Sequence, residues 1–227
     1  MMSETSANTI KVNMVKGGKS YGLVPRRMKR IEDVFAYAKE TMTSPCAFHL
    51  ITHIHDAEMF GTTKSKGFIK EFKRALKRQY KPATTRKTKS GRRQQCPNTI
   101  VIYSIEYKLT SQKEIDGDND TYKYGYEKTD KKLPFLHIHT YVIADCDNTI
   151  PENLTYHAMN AMNELDGLKA TRYAPTKDKD PDKDKKKYKK LNTDYDDAVL
   201  RAFYLAKVEQ KSSEIPYRKA FDASKIS

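Results

Sequence analysis

The sequence predicts an α+β fold: a central, mostly antiparallel β-sheet flanked by helices. Three observations carry that prediction. TIVIYSIEYKL and PFLHIHTYVIA follow one another and are rich in β-branched and aromatic residues, as the arms of an antiparallel pair are. Four other segments read as helices, by an apolar period near 3.6 or by their end signals. The order helix, strand, helix, strand, strand, helix, strand, helix lacks the strict alternation that builds a parallel sheet.

Residues 1–25 are polar, with turn-forming Gly and Pro in VKGGKSYGLVP, and read as a flexible arm ahead of a single domain over 26–227. Met28, Ile31, Val34, Phe35 and Ala38 recur at helical spacing, which predicts a helix over Arg26 to Met42. CAFHLITHI alternates as a strand does. Phe68, Ile69, Phe72, Ala75, Leu76 and Tyr80 then mark a second helix. The two strong strands follow, separated by a long polar excursion, and predict a hairpin with an oversized loop. PENLTYHAMNAMNELDG has Pro151 for its first turn and Gly167 for its end. LKATRYA reads as a third core strand. NTDYDDAVLRAFYLAKVEQK reads as a last helix, from about Thr193 to Lys211, with acidic residues at its positive end. Mobile loops are expected near 81–97, 110–132 and 174–191, the last charged and of low complexity.

Composition narrows the partners. Lys and Arg number 43 against 29 Asp and Glu, a formal charge of +14, which makes a polyanion, nucleic acid first, the expected partner. From Lys64 to Arg93 the chain carries thirteen basic residues and one acidic one. Lys66, Lys70, Lys73, Arg74, Lys77, Arg78, Arg86, Lys87, Arg92 and Arg93 are therefore candidate phosphate contacts, with Lys211 further on. No apolar run approaches the roughly 20 residues that span a bilayer, so no membrane partner is expected. Cys46, Cys96 and Cys146 are odd in number and far apart, which speaks against a disulfide framework or a metal knuckle. The opening residues lack the layout of a secretory leader, and a cytoplasmic location is expected.

Two histidine triplets carry the chemistry. In a strand His137 and His139 share one face, with Leu136 and Ile138 on the other. Two imidazoles so placed suit a divalent ion, and Glu106 on the neighbouring strand can bring a carboxylate to the same face as a third ligand. His49, His53 and His55 also share a face. Their triplet falls where the strand runs into a loop, so His53 and His55 read as rim residues for a phosphate or base, and spacing alone leaves open whether the three join a site. His157 stands alone and reads as a surface or packing residue. On the last helix Val199, Ala202, Phe203 and Ala206 form the apolar stripe. Tyr204 then falls nearly opposite it, facing outward beside Lys207 and Lys211. A phenol with a pKa near 10 needs activation to act as a nucleophile, and Lys207 at i+3 is placed to give it.

With His137, Ile138 and His139 followed by Tyr204, Leu205, Ala206 and Lys207, the chain resembles the HUH endonucleases, named for histidine, hydrophobe, histidine. Within them it is similar to rolling-circle replication initiators of the filamentous-phage (inovirus) gene II type, through FYLAKVEQK and YRKAFDAS. It differs at Leu136 and Asp222, where glycine would be expected, and in having Leu200 and Val208 where a second tyrosine would stand. The resemblance covers roughly Cys46 to the C terminus and implies a palm of the ferredoxin-like or RRM-like kind. It implies His137, His139 and Glu106 as ligands of Mg²⁺ or Mn²⁺, Tyr204 as nucleophile and Lys207 as its helper. The implied reaction nicks and rejoins single-stranded DNA, or an origin hairpin, through a 5′-phosphotyrosine, so initiating phage or plasmid replication in a bacterial cytoplasm. Since no phosphate-binding Gly-x-x-x-x-Gly-Lys-[Ser/Thr] loop is present, a host helicase and polymerase are expected partners. The rival expectations are a non-catalytic basic DNA-binding protein on the same fold, a metal nuclease that uses water, and an RNA-binding protein.

Overall fold

The computed structural model describes residues 10–13, 20–60, 62–81, 87, 91, 94–111, 132–174, 188–208 and 220–226, without the side chains of 10–13, 20, 21 and 62–66. Its elements are, in chain order, β1 (Ile10–Asn13), β2 (Ser20–Leu23), α1 (Pro25–Thr41), β3 (Pro45–Ile54), α2 (Ala57–Phe60), α3 (Thr62–Gln79), β4 (Thr99–Thr110) and β5 (Leu133–Asp145). There follow α4 (Pro151–Asn163), β6 (Leu168–Tyr173), β7 (Lys189–Lys190), α5 (Tyr195–Ala202), a 3₁₀ turn (Phe203–Ala206) and β8 (Phe221–Ala223). The α+β class is as the sequence predicts. The main sheet runs β6-β3-β5-β4-β8, with β7 also on β3, and its pairs are antiparallel. No helix among the described residues is long and apolar enough to cross a membrane.

Strand alternation divides the core in two. On one side of the sheet Phe48, Leu50, Val101, Tyr103, Ile105, Ile138 and Val142 pack against Phe68, Phe72 and Leu76 of α3 and against Leu154, Ala158 and Met162 of α4. On the other side Ala47, Ile100, Ile102, Tyr141 and Ile143 meet Ile31, Val34 and Phe35 of α1 and Val199 and Ala202 of α5. The apolar stripes read from the sequence are thus the buried faces of α1 and α3, where burial of each large side chain contributes about 1.5–3 kcal/mol. Pro25 and Pro151 occupy the first turns of α1 and α4, where a missing N–H costs no helical bond.

Three local expectations are corrected. The last helix stops at Ala202, and one 3₁₀ turn carries the chain to Lys207, which has extended backbone. Packing decides this, because the end of the expected loose arm is held against that turn. Val24 N–H donates to Ala206 O (3.0 Å), Val208 N–H to Gly22 O (2.8 Å), and Leu23, fully buried, bridges to Lys207. LKATRYA forms a strand of the main sheet, as expected, at its edge beside β3, with Leu168 buried and Lys169 and Ala170 exposed. The charged stretch before residue 190 ends earlier than its composition suggests, since Lys189–Lys190 pairs with Ala47 and Cys46 and Leu191 is buried.

Gly167 closes α4 onto the end of β3. Its φ of +75° suits glycine, and a Cβ there would stand 2.5 Å from Asp56 O. Its carbonyl accepts the N–H of His55 (2.9 Å) and of Asp56 (3.3 Å), which fixes where β3 ends. The three cysteines are free thiols.

Candidate functional site

Three neighbouring strands lay a polar patch across one face of the sheet. The β4–β5 register sets Glu106 opposite His137, Ser104 opposite His139 and Ile102 opposite Tyr141. On the other flank β3 sets His53 against His137, Ile51 against His139 and His49 against Tyr141. Directly opposed residues share a face. All of these side chains therefore stand on the side covered by α1 and α5, at the end of the sheet that the apolar helix faces leave behind. Glu106 is fully buried, and His137 and His139 are 2% and 3% exposed.

The three groups are close enough to hold one ion, their ligand atoms all lying within 4.8 Å of one another. His137 Nε2 stands 3.1 Å from His139 Nε2, and Glu106 Oε2 stands 3.4 Å from His139 Nε2 and 3.8 Å from His137 Nε2. Ligand atoms held about 2.1 Å from a six-coordinate ion stand about 3.0 Å apart along each octahedral edge, so small closing shifts complete the set. The donor chemistry agrees, because two neutral imidazoles and one carboxylate suit a first-row divalent metal.

Protonation follows from the hydrogen bonds. His137 Nδ1 lies 3.2 Å from Phe135 O, so it carries the proton and leaves Nε2 with its lone pair toward the cluster. His139 Nδ1 lies 2.9 Å from His49 Nε2. Two proton arrangements satisfy that chain. With no ion, His49 donates to His139 and His139 donates through Nε2 to His137. With an ion, His139 donates to His49 and both Nε2 lone pairs point inward. Burial, then the neighbouring His139, hold the pKa values of His49 and His137 well below the usual histidine range, which keeps both rings neutral and able to take part in either arrangement.

Lys207 and Tyr204 arrive from above. The sequence places both outward on a continuing α-helix; instead the 3₁₀ turn swings them onto the patch, with Lys207 buried and Tyr204 half-buried. Lys207 Nζ stands 2.6 Å from Glu106 Oε2 and donates to Tyr204 Oη. The phenol ring lies 5.0 Å from the His139 ring, centre to centre, and 6.3 Å from that of His49. One ammonium thus joins the buried carboxylate to the phenol.

His49 is the member of the site that sequence reasoning leaves open. Its ring stacks on Tyr141 at 4.5 Å, and the only sequence signal for it is its position on the face of β3 that carries His53. His53 lies inside β3, half-buried, 5.1 Å from the Phe135 ring, while His55 is exposed just beyond the strand. His157 packs on Tyr80 at 4.7 Å, away from the site.

The basic residues are divided by the sheet. Lys70, Arg74, Lys77 and Arg78 are exposed and Lys73 half-buried on α3, which covers the face opposite the histidines. Arg74 pairs with Glu71 (3.2 Å) and Arg78 with Glu164 (3.0 Å). Lys87 is exposed. Arg86, Arg92, Arg93 and Lys211 lie outside the described residues, as does the side chain of Lys66. On the histidine face Lys108 and Arg172 stand over the Phe135 ring at 5.6 and 5.9 Å.

No family model matches the chain, and no curated protein or solved structure matches it.

Proposed function

We propose that this protein nicks and rejoins single-stranded DNA by transesterification at Tyr204, as the initiator of rolling-circle replication of a phage or plasmid in a bacterial cytoplasm. The observation that carries the reading is the convergence, through one buried ammonium, of a phenol and a cluster able to hold a metal. A structural tyrosine has no need of either neighbour.

In this reading Tyr204 Oη attacks the phosphorus of a DNA phosphodiester. The Oη–P bond forms, the P–O3′ bond breaks, and the phenol proton ends on the departing 3′-oxygen. Lys207 donates to Oη and favours its charged form as it attacks. Glu106 holds the ammonium in place, and His49 holds the ring of His139. His137, His139 and Glu106 would bind Mn²⁺ or Mg²⁺, the two imidazoles favouring Mn²⁺, and such an ion supplies Lewis-acid polarisation of the phosphate. A host polymerase would extend the free 3′-hydroxyl, and a host helicase would supply the strand.

The test is a label transfer. Wild type and Tyr204→Phe are incubated with end-labelled single-stranded DNA from the gene's own replicon, with Mn²⁺ or EDTA, and resolved on a denaturing protein gel. Label that travels with wild-type protein only when metal is present, and is lost in Tyr204→Phe, supports the reading. Cleavage with no label on the protein would assign the cluster to a nuclease that uses water.

The Lys207–Glu106 pair also supports a second reading. It neutralises the buried carboxylate without a metal, as a DNA-binding protein with no catalytic role would require. Under that reading DNA binds equally in EDTA and is never cut.

A further inference from the structure

A cleft of about 630 Å³ opens between the first turns of α1 and strand β8, lined by Arg26, Arg27, Lys29 and Arg30 from α1 and by Phe221 and its neighbours from β8. Its charge is one-sided, four cations against the carboxylates of Asp33 and Asp222. Two of the cations are already held in place. Arg27 Nη1 donates to the carbonyl of Lys207 (3.5 Å) with its guanidinium over the Phe221 ring (5.7 Å), and Arg30 Nη2 donates to Ser224 O (2.6 Å). A guanidinium has five N–H donors, and the bond to Ser224 uses one of those of Arg30. Arg26 is exposed, and Lys29 is 71% exposed in a pair with Asp33 that contributes little.

The position of the cleft is the decisive point. Phe221 is opposite Ser104 on β4, two residues from Glu106 and on the same face. Arg27 touches the backbone of the residue whose ammonium contacts Tyr204. The longer basic run on α3 lies behind the sheet, so a strand bound there would have to pass round a sheet edge to reach the phenol.

We propose that the α1–β8 cleft, rather than α3, binds the sugar-phosphate backbone of single-stranded DNA next to the scissile bond. The inference rests on the nicking reading for its choice of ligand. Arg27 and Arg30 take phosphate oxygens at fixed positions, and Arg26 and Lys29 add mobile charge.

The experiment measures binding in EDTA, where no cleavage intervenes, using full-length protein and a fluorescein-labelled oligodeoxynucleotide of mixed sequence across a range of KCl. Arg26→Gln with Lys29→Gln is compared with Lys70→Gln with Lys77→Gln; all four positions are exposed, and thermal melts check that both variants are folded. The α1 pair is expected to weaken binding about tenfold and to make the log–log salt slope shallower by about 1.4, since each single-strand phosphate contact contributes about 0.7. The α3 pair is expected to change the affinity less than about twofold. An unchanged affinity and slope for the α1 pair, or a larger effect from the α3 pair, overturns the proposal. Tighter binding of RNA of the same sequence overturns the choice of DNA. Binding that depends on α1 together with a failed label transfer would sink the nicking reading and leave the cleft standing.

Discussion

Replacing Lys207 with methionine keeps most of the side-chain volume and removes the ammonium, which isolates the consequence for Glu106. That carboxylate is fully buried and its partner 2.6 Å away. Losing one member of such a pair costs about 3–5 kcal/mol. The carboxylate can escape by taking up a proton, which caps the loss: from an ordinary pKa near 4.3, protonation at pH 7 costs about 3.7 kcal/mol and at pH 5 about 1 kcal/mol. Lys207→Met should therefore lose about 3–4 kcal/mol relative to wild type at pH 7, a fall in Tm of about 10 °C, and only about 1 kcal/mol at pH 5. If the cluster holds a metal, Mn²⁺ replaces the missing cation. At a hundred times its Kd it returns about 2.7 kcal/mol, and it should stabilise the variant more than wild type, whose carboxylate is already shared with Lys207. Thermal melts at the two pH values, with Mn²⁺ or EDTA, measure all four quantities. An equal loss at both pH values would mean that Lys207 matters only through packing, and a variant indifferent to Mn²⁺ would refute the metal cluster.

Three further outcomes are expected. Replacing His49 by leucine removes the partner of His139 Nδ1 and should weaken Mn²⁺ binding up to about 100-fold by titration calorimetry, whereas His49→Gln, which still accepts a hydrogen bond, should lose about tenfold or less. The metal-free protein should lose stability on mild acidification. Because the folded-state pKa values of His49 and His137 lie below the unfolded value near 6.5, the unfolded chain binds the extra protons, and each histidine removes about 1.4 kcal/mol per pH unit below 6.5 until its folded pKa is reached; urea midpoints at descending pH read this, with a shallower fall in His49→Gln. Deleting residues 1–24 removes the partners of Ala206 and Val208, so trypsin should cut after Lys207 in that form and spare the bond when only residues 1–21 are deleted, as fragment masses would show.

The parts of the site that the sequence makes legible are those fixed by parity. Alternation along two strong strands is enough to put Glu106, His137 and His139 on one face once the strands pair, and neither loop length nor side-chain detail enters. His49 needs more, because its meeting with His139 depends on the register of β3 against β5, which turns and core packing set together. Lys207 was hidden for a different reason. Nothing between Ala202 and Lys207 breaks a helix, and the break is imposed by residues 22–24, distant in sequence. The charge of α3 is plain in composition, but which side of the sheet it occupies is a property of topology, and so its distance from the phenol could not be read.

The break after Ala202 also explains why the site stands where it does. Along one face of β5 the residues run Ile143, Tyr141, His139, His137, from apolar to polar, and the helices above change over the same distance. Where α5 persists, Val199 and Ala202 cover Tyr141 and Ile143 with apolar surface; where it ends, the imidazoles begin. A continued α-helix would have carried Tyr204 and Lys207 away from the sheet and left Glu106 buried without its ammonium, at a cost of several kcal/mol. The 3₁₀ turn avoids that cost by bringing Lys207 down to the carboxylate, and the same movement brings the phenol over His139. Stability of the buried acid and placement of the phenol over the histidine patch are therefore met by a single change in backbone geometry, so a substitution that restores the α-helix should be felt in both.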